Sequence, residues 1–156
     1  MTSMKRRTFL TGYIATGAVG AAVGAGLLTP QMVLAAWPKS AFEATTVDDA
    51  VNGLFGSTSL AGSDQIKIKA PDIAENGAVV PVSVTTDLAA ESITILAEKN
   101  ASPLAASFIL GSGTEGYVST RIKMGKTSSV IAVVKSDGKL LSAGKEVKVT
   151  IGGCGG

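Results

Sequence analysis

The chain has 156 residues, 46% of them hydrophobic and only 4% aromatic, with one cysteine and no histidine, a length that supports one modest domain with short extensions. Fourteen basic residues against twelve acidic give a net charge of +2. That is too little for a sustained phosphate-binding surface, and no aromatics are interleaved with Lys or Arg, so nucleic acid is excluded as a ligand. Histidine-based triads and dyads are excluded, and one cysteine cannot assemble a zinc or iron–sulfur site, so no cofactor is expected.

The first element is an export leader. Lys5-Arg6-Arg7-Thr8-Phe9-Leu10 sets a twin arginine before Phe and Leu, the pattern of Tat-type signals, and an apolar stretch runs on to about Leu28. Glycines 12, 17, 20, 24 and 26 keep that stretch only mildly hydrophobic. Val33-Leu34-Ala35-Ala36 predicts cleavage after Ala35 or Ala36, so residues 1–36 form the signal and the mature chain begins near Trp37. The alternative is a retained anchor, because Leu10 to Leu28 is nearly long enough to span a bilayer; the glycine and proline interruptions argue against it. Losing Lys5, Arg6 and Arg7 with the leader lowers the net charge from +2 to −1. Tat export carries folded chains and suits proteins that first acquire a cofactor or a partner. With no cofactor site in view, folding with a second subunit is expected, and no membrane association after cleavage.

Residues 37–151 form the folded part. After a short exposed stretch, Thr46 followed three residues later by Asp49 starts a helix with Val47, Ala50, Val51 and Leu54 on one face, and Gly56 closes it. A loop runs to Ser63. Ile66 and Ile68 then alternate with Gln65, Lys67 and Lys69, as a half-buried strand does. Further strand patterns cover Ala78 to Thr85, Ser92 to Glu98, Ala106 to Leu110, Tyr117 to Met124, Ser129 to Val134 and Glu146 to Ile151. Turn residues separate them at Asp72, Asn76-Gly77, Asp87, Asn100, Gly111-Ser112-Gly113, Gly125 and Asp137-Gly138. About seven strands in this span predict an all-β fold, an immunoglobulin-like antiparallel β-sandwich with a short N-terminal helix. Val118, Thr120 and Ile122 share the core face of one strand; Val147, Val149 and Ile151 share that of another. Pro81 has no N–H to give a ladder, which predicts an edge strand or a bulge there.

Few residues carry chemistry. Gly111, Gly113 and Gly116 match G-x-G-x-x-G, but a strand pattern follows where the dinucleotide motif needs a helix, so they form a turn. The acidic residues are scattered through caps and turns: Asp48 and Asp49 open the helix, Asp87 and Asp137 sit in turns, Glu98 and Glu146 border strands. Lys67 with Lys69, and Arg121 with Lys123 and Lys126, could meet an anionic group, although strand lysines more often only form a solvated face that discourages edge pairing.

Cys154 stands apart. An unpaired cysteine in an oxidising exported compartment is a liability unless it is buried, paired between chains, or used. Gly152, Gly153, Gly155 and Gly156 surround it with no side chains to pack and with the greatest backbone freedom, so residues 152–156 are expected to be a flexible, solvent-exposed arm. From Ile151 three residues reach at most about 10 Å to the thiol, and a slim glycine arm can enter a narrow channel. Such an arm suits a covalent carrier whose cargo visits several active sites. It does not suit an enzyme, because a nucleophile must be held rigidly beside its base. The competing reading is an exported structural or interaction sandwich whose terminal cysteine forms an intermolecular disulfide.

The Tat leader, the helix beginning Thr46-Val47-Asp48-Asp49-Ala50, the stretch from Ala70-Pro71-Asp72 through Val80-Pro81-Val82, and the terminal Gly-Gly-Cys-Gly-Gly together resemble the SoxY family, sulfur-carrier subunits of the Sox thiosulfate-oxidising system. The resemblance implies an immunoglobulin-like subunit paired with a SoxZ-like partner and exported with it to the periplasm. It further implies that SoxAX joins thiosulfate oxidatively to Cys154, that SoxB releases sulfate, and that a sulfane dehydrogenase, where present, oxidises the sulfur left behind. Only Cys154, as the attachment point, and its flanking glycines carry over residue by residue.

Overall fold

The computed structural model describes residues 38–150. Two short helices open this part. Helix α1 (Lys39–Phe42) is a single turn that the sequence does not announce: its start at Pro38 has no side-chain cap, yet Ala41 is fully buried. The stretch before the main helix is exposed at Lys39, Ser40, Glu43 and Thr45, with Ala41 as its one buried anchor. Ala41 lies against Gly53, where an added Cβ would come within 3.0 Å of the Ala41 backbone.

Helix α2 (Val47–Phe55) forms as its caps predict. The Thr46 hydroxyl accepts from the Asp49 N–H at 3.1 Å and donates to the Asp49 carboxylate at 2.7 Å. Aspartate, one methylene shorter than the glutamate of a full capping box, returns to the hydroxyl instead of the Thr46 N–H. Gly56 ends the helix in the left-handed region (φ 69°), its N–H donating to the Asn52 carbonyl. Ala50 and Val51 are buried.

Nine strands follow: β1 (Ala61–Gly62), β2 (Ile66–Lys69), β3 (Ile73–Ala74), β4 (Val80–Thr86), β5 (Ala90–Ala97), β6 (Leu104–Ile109), β7 (Tyr117–Ile122), β8 (Ser128–Ser136) and β9 (Lys139–Val149). The seven longer ones are the strands expected from alternation; β1 and β3, two residues each, are not. The larger sheet has the order β1-β9-β8-β5-β6, and β3 also pairs with β9. The smaller sheet is β2-β4-β7. The long pairings are antiparallel, whereas β1 and β3 lie parallel to the outer edge of β9, at Leu141–Ser142 and Lys148–Val149 respectively. They cap an edge that would otherwise offer its backbone to another chain.

The two sheets bury an aliphatic core between them. Val80, Val82 and Val84 from β4, Ile93 and Ile95 from β5, and Val130, Ala132 and Val134 from β8 all belong to it. Each such fully buried Val or Ile contributes roughly 1.5–3 kcal/mol. A second cluster lies on the other face of the larger sheet, where Leu96, Leu104 and Val133 meet Ala41, Ala50 and Val51 of the helices. The central strands are covered on both sides, which explains the unbroken burial from Ser92 to Ala97.

Three sequence expectations need correction. Strand β9 is 11 residues long and starts at Lys139, directly after Asp137 and Gly138, whose positive φ values (49° and 71°) make the tight hairpin turn with β8. Its expected start was Glu146. Ala61–Gly62, placed in a loop, pairs with β9. Strand β4 is the centre of its sheet, not an edge. Pro81 is tolerated because the Thr86 N–H points to β7, at Gly116, so alternation turns the residue-81 nitrogen towards β2, which ends at Lys69 opposite Ser83.

Gly111, Gly113 and Gly116 lie in the connection from β6 to β7. The Thr114 N–H donates to the Gly111 carbonyl, Gly113 has φ 80°, and a Cβ on Gly116 would strike the Thr86 carbonyl oxygen. A strand follows them, so they are turn glycines.

Candidate functional site

Cys154 and the glycines at 152, 153, 155 and 156 lie outside the described residues, as do Ile151, Trp37 and the leader 1–36. The structure does show the strand end that leads into residues 151–156. Strand β9 pairs with β8 as far as Val147, opposite Ser128, and then runs past the end of β8. A side chain takes over the ladder at that point: Thr127 Oγ1 accepts the Val149 N–H at 2.9 Å and donates to the Val149 carbonyl at 3.4 Å.

The other edge of β9 is held by β3. The Lys148 N–H donates to the Asp72 carbonyl at 2.9 Å and the Thr150 N–H to the Ala74 carbonyl at 3.1 Å, where the Thr150 hydroxyl also donates at 3.4 Å. Lys145 fixes the approach to β3 by donating to the Ala70 carbonyl at 2.6 Å while its Nζ stands 3.0 Å from the Asp72 carboxylate. The Asp72 side chain is 89% exposed, so that ion pair adds little stability and the carbonyl contact does the positioning.

Beneath this end, the turn at Asn76–Val79 packs against the β7–β8 connection. The Met124 N–H donates to the Gly77 carbonyl at 2.7 Å. A Cβ on Gly77 would collide with the Met124 carbonyl oxygen and come within 2.8 Å of Val149 Cγ1, so only glycine fits there. Three segments far apart in sequence therefore meet at Val149 and Thr150, the last rung among the described residues.

The basic residues singled out from sequence fall into two places. Lys67, Lys69 and Arg121 are exposed on the outer face of the smaller sheet, opposite the core-facing Ile66, Val118 and Ile122. Lys123 and Lys126 sit on the β7–β8 connection, next to the arm's anchor. Thr127, Thr150 and Asn100 were not legible as site residues, since nothing in their local sequence marks a contact with residues 22 to 76 positions away. Among the described residues no group of three His, Cys, Asp or Glu could hold a metal ion, and no helix is long and apolar enough to cross a membrane.

A family model described as sulfur oxidation protein SoxY matches residues 51–154. No curated protein matches the chain. Among solved structures, it is similar to the sulfur carrier protein SoxY from Chlorobium limicola f thiosulfatophilum, at 45% identity and a TM-score of 0.62, covering 73% of this chain and 100% of that one.

Proposed function

The chain belongs to the SoxY family, and from that premise we propose that it is a sulfur carrier of the Sox system, holding thiosulfate-derived intermediates covalently on Cys154. The observation that carries this reading is the family match running through to Cys154, four residues beyond a rung pinned on both edges. A rigid root and a slim glycine arm divide the work. The sandwich presents the arm in a fixed direction, and glycines 152, 153, 155 and 156 let the thiol turn inside partner active sites.

The chain performs no catalysis in this scheme. An ordinary thiol has a pKa of about 8.5, so only a few per cent ionises near neutral pH and the reactive thiolate is favoured within a partner's electropositive pocket. The Cys154 thiolate and thiosulfate together lose two electrons, accepted by the haem enzyme SoxAX, as a sulfur–sulfur bond forms and leaves Cys154 bearing a thiosulfonate. Water then cleaves the terminal sulfonate at SoxB, giving sulfate, two protons and a persulfide on Cys154. A sulfane dehydrogenase oxidises that remaining sulfur where one exists. The Tat-type leader fits export to the periplasm as a heterodimer with a SoxZ-like subunit.

Intact-mass measurement of the purified chain, before and after incubation with thiosulfate, SoxAX and a SoxZ-like subunit, tests this. A thiosulfonate adduct that appears only with all three components is expected. An unchanged mass, or a mass equal to two disulfide-linked chains as the sole product, would contradict it.

A further inference from the structure

We propose that a lysine-lined cleft beside the root of the arm is a docking site for the sulfonate end of cargo carried on Cys154; this rests on the carrier reading above. The cleft, about 510 Å³, lies between the β5–β6 and β7–β8 connections and is lined by Lys99, Asn100, Ser102, Lys123, Gly125 and Lys126. Asn100 ties the two connections together. Its side-chain amide donates to the Lys123 carbonyl at 2.6 Å, and its oxygen accepts the Gly125 N–H at 3.0 Å. The backbone spacing of the cations is thereby fixed while their ammonium groups stay exposed.

The charge pattern points to an anion. Residues 38–150 carry eleven basic and twelve acidic side chains, so mixed signs would be expected on any patch. No carboxylate lines this cleft, and the ion pairs among the described residues engage Lys39, Lys135 and Lys145, not Lys99, Lys123 or Lys126. Three ammonium donors match the three oxygens of a sulfonate. A free thiol offers them no such acceptor, so docking separates a sulfonate-loaded arm from an empty one.

The chain geometry makes the arm the occupant. Lys126 directly precedes Thr127, whose hydroxyl holds Val149, so the rim of the cleft stands beside the arm's anchor. From Thr150, four residues carry Cys154 up to about 13 Å, and the β7–β8 connection already touches β9 through Thr127 and Val149. A tether this short supplies an effective concentration in the millimolar range, so individually weak surface contacts suffice to hold the cargo.

The test uses the exported chain loaded chemically. The Cys154 thiolate attacks a central sulfur of tetrathionate, a new sulfur–sulfur bond forms, the central bond of tetrathionate breaks, and thiosulfate leaves with the electron pair. The thiol proton passes to buffer, and the chain's single cysteine makes the product unique. Amide NMR shifts at Asn100, Lys123, Gly125 and Lys126 are compared with those of a neutral carbamidomethyl adduct. Shifts confined to the thiosulfonate form are expected, and they vanish in the Lys99→Gln/Lys123→Gln/Lys126→Gln variant and at 1 M salt, where the Debye length is about 3 Å. Equal shifts with both adducts, or none with either, would overturn the proposal. So would the same shifts from equimolar free thiosulfate added to Cys154→Ser, which would make the cleft a site for free anions. Because loading here is chemical, the result judges the cleft alone; enzyme-driven loading judges the carrier reading separately.

Discussion

Replacing Thr127 with valine keeps a β-branched side chain of the same shape and removes one oxygen. That oxygen accepts the Val149 N–H at 2.9 Å; its return contact to the Val149 carbonyl, at 3.4 Å, is too long to count for much. The loss is therefore one good hydrogen bond, and Val149 is only half-buried, so water partly replaces it. A cost of about 1–1.4 kcal/mol follows, equivalent to a 5- to 10-fold change in a local opening equilibrium. Native-state hydrogen exchange reads it directly: the Val149 amide should exchange about 5- to 10-fold faster in Thr127→Val. The Thr150 amide, bonded to Ala74 on the opposite edge, should change less. Thr127→Ser, which keeps the hydroxyl, should restore most of the protection. If Val149 exchange is unchanged in the valine variant, or if the serine variant exchanges as fast as the valine one, then Thr127 does not hold the arm's root.

Gly77→Ala should destabilise the fold by about 1–3 kcal/mol through crowding against Met124 and Val149, lowering the urea midpoint. Gly113→Ala, in open space but at φ 80°, should cost about 1–2 kcal/mol for conformation alone, and a neutral result at Gly77 would refute the packing at the root. Thr46→Ala should cost about 1 kcal/mol as a lost N-cap while Thr46→Ser costs little, measured by the same titration. The Glu91 carboxyl is held below its usual range, first by its hydrogen bond from Lys135 and then by the Gly138 N–H. A depressed carboxyl stabilises the fold above its unfolded pKa and loses that contribution as pH falls through the folded value. Glu91→Gln should therefore lower the melting temperature near neutral pH and have no effect in strong acid; an equal effect at both would show that the ion pair is irrelevant.

The sequence carried the seven longer strands and helix α2 because their signals are local: alternation at Val118-Ser119-Thr120-Arg121-Ile122, a hydroxyl cap at Thr46, a glycine at the helix end. What it hid depends on partners. Ile73–Ala74 and Ala61–Gly62 become strands only because the outer edge of β9 stands open beside them. The first half of β9 escaped notice because Ser142-Ala143-Gly144 lacks branched or aromatic residues, and pairing with β8 overrides that weak propensity. Helix α1 has no cap and is held by the burial of Ala41. Pro81 suggested an edge strand, where the structure needs only one locally unpaired position. At the site, the arm was legible as a motif, while its anchor at Thr127 and Thr150 and the lysine cleft joined through Asn100 exist only in three dimensions.

Trypsin cutting after Lys148 would release Val149 to Gly156, the whole arm, as one peptide. Tandem mass spectrometry of that peptide, after the chain has turned over thiosulfate with its partner enzymes, tests the central claim most directly. Sulfur-bearing fragments localised to Cys154 are predicted, with no adduct and no thiosulfate oxidation in Cys154→Ser. Thiosulfate oxidation that persists in Cys154→Ser, or an adduct that maps elsewhere in the chain, would contradict the account.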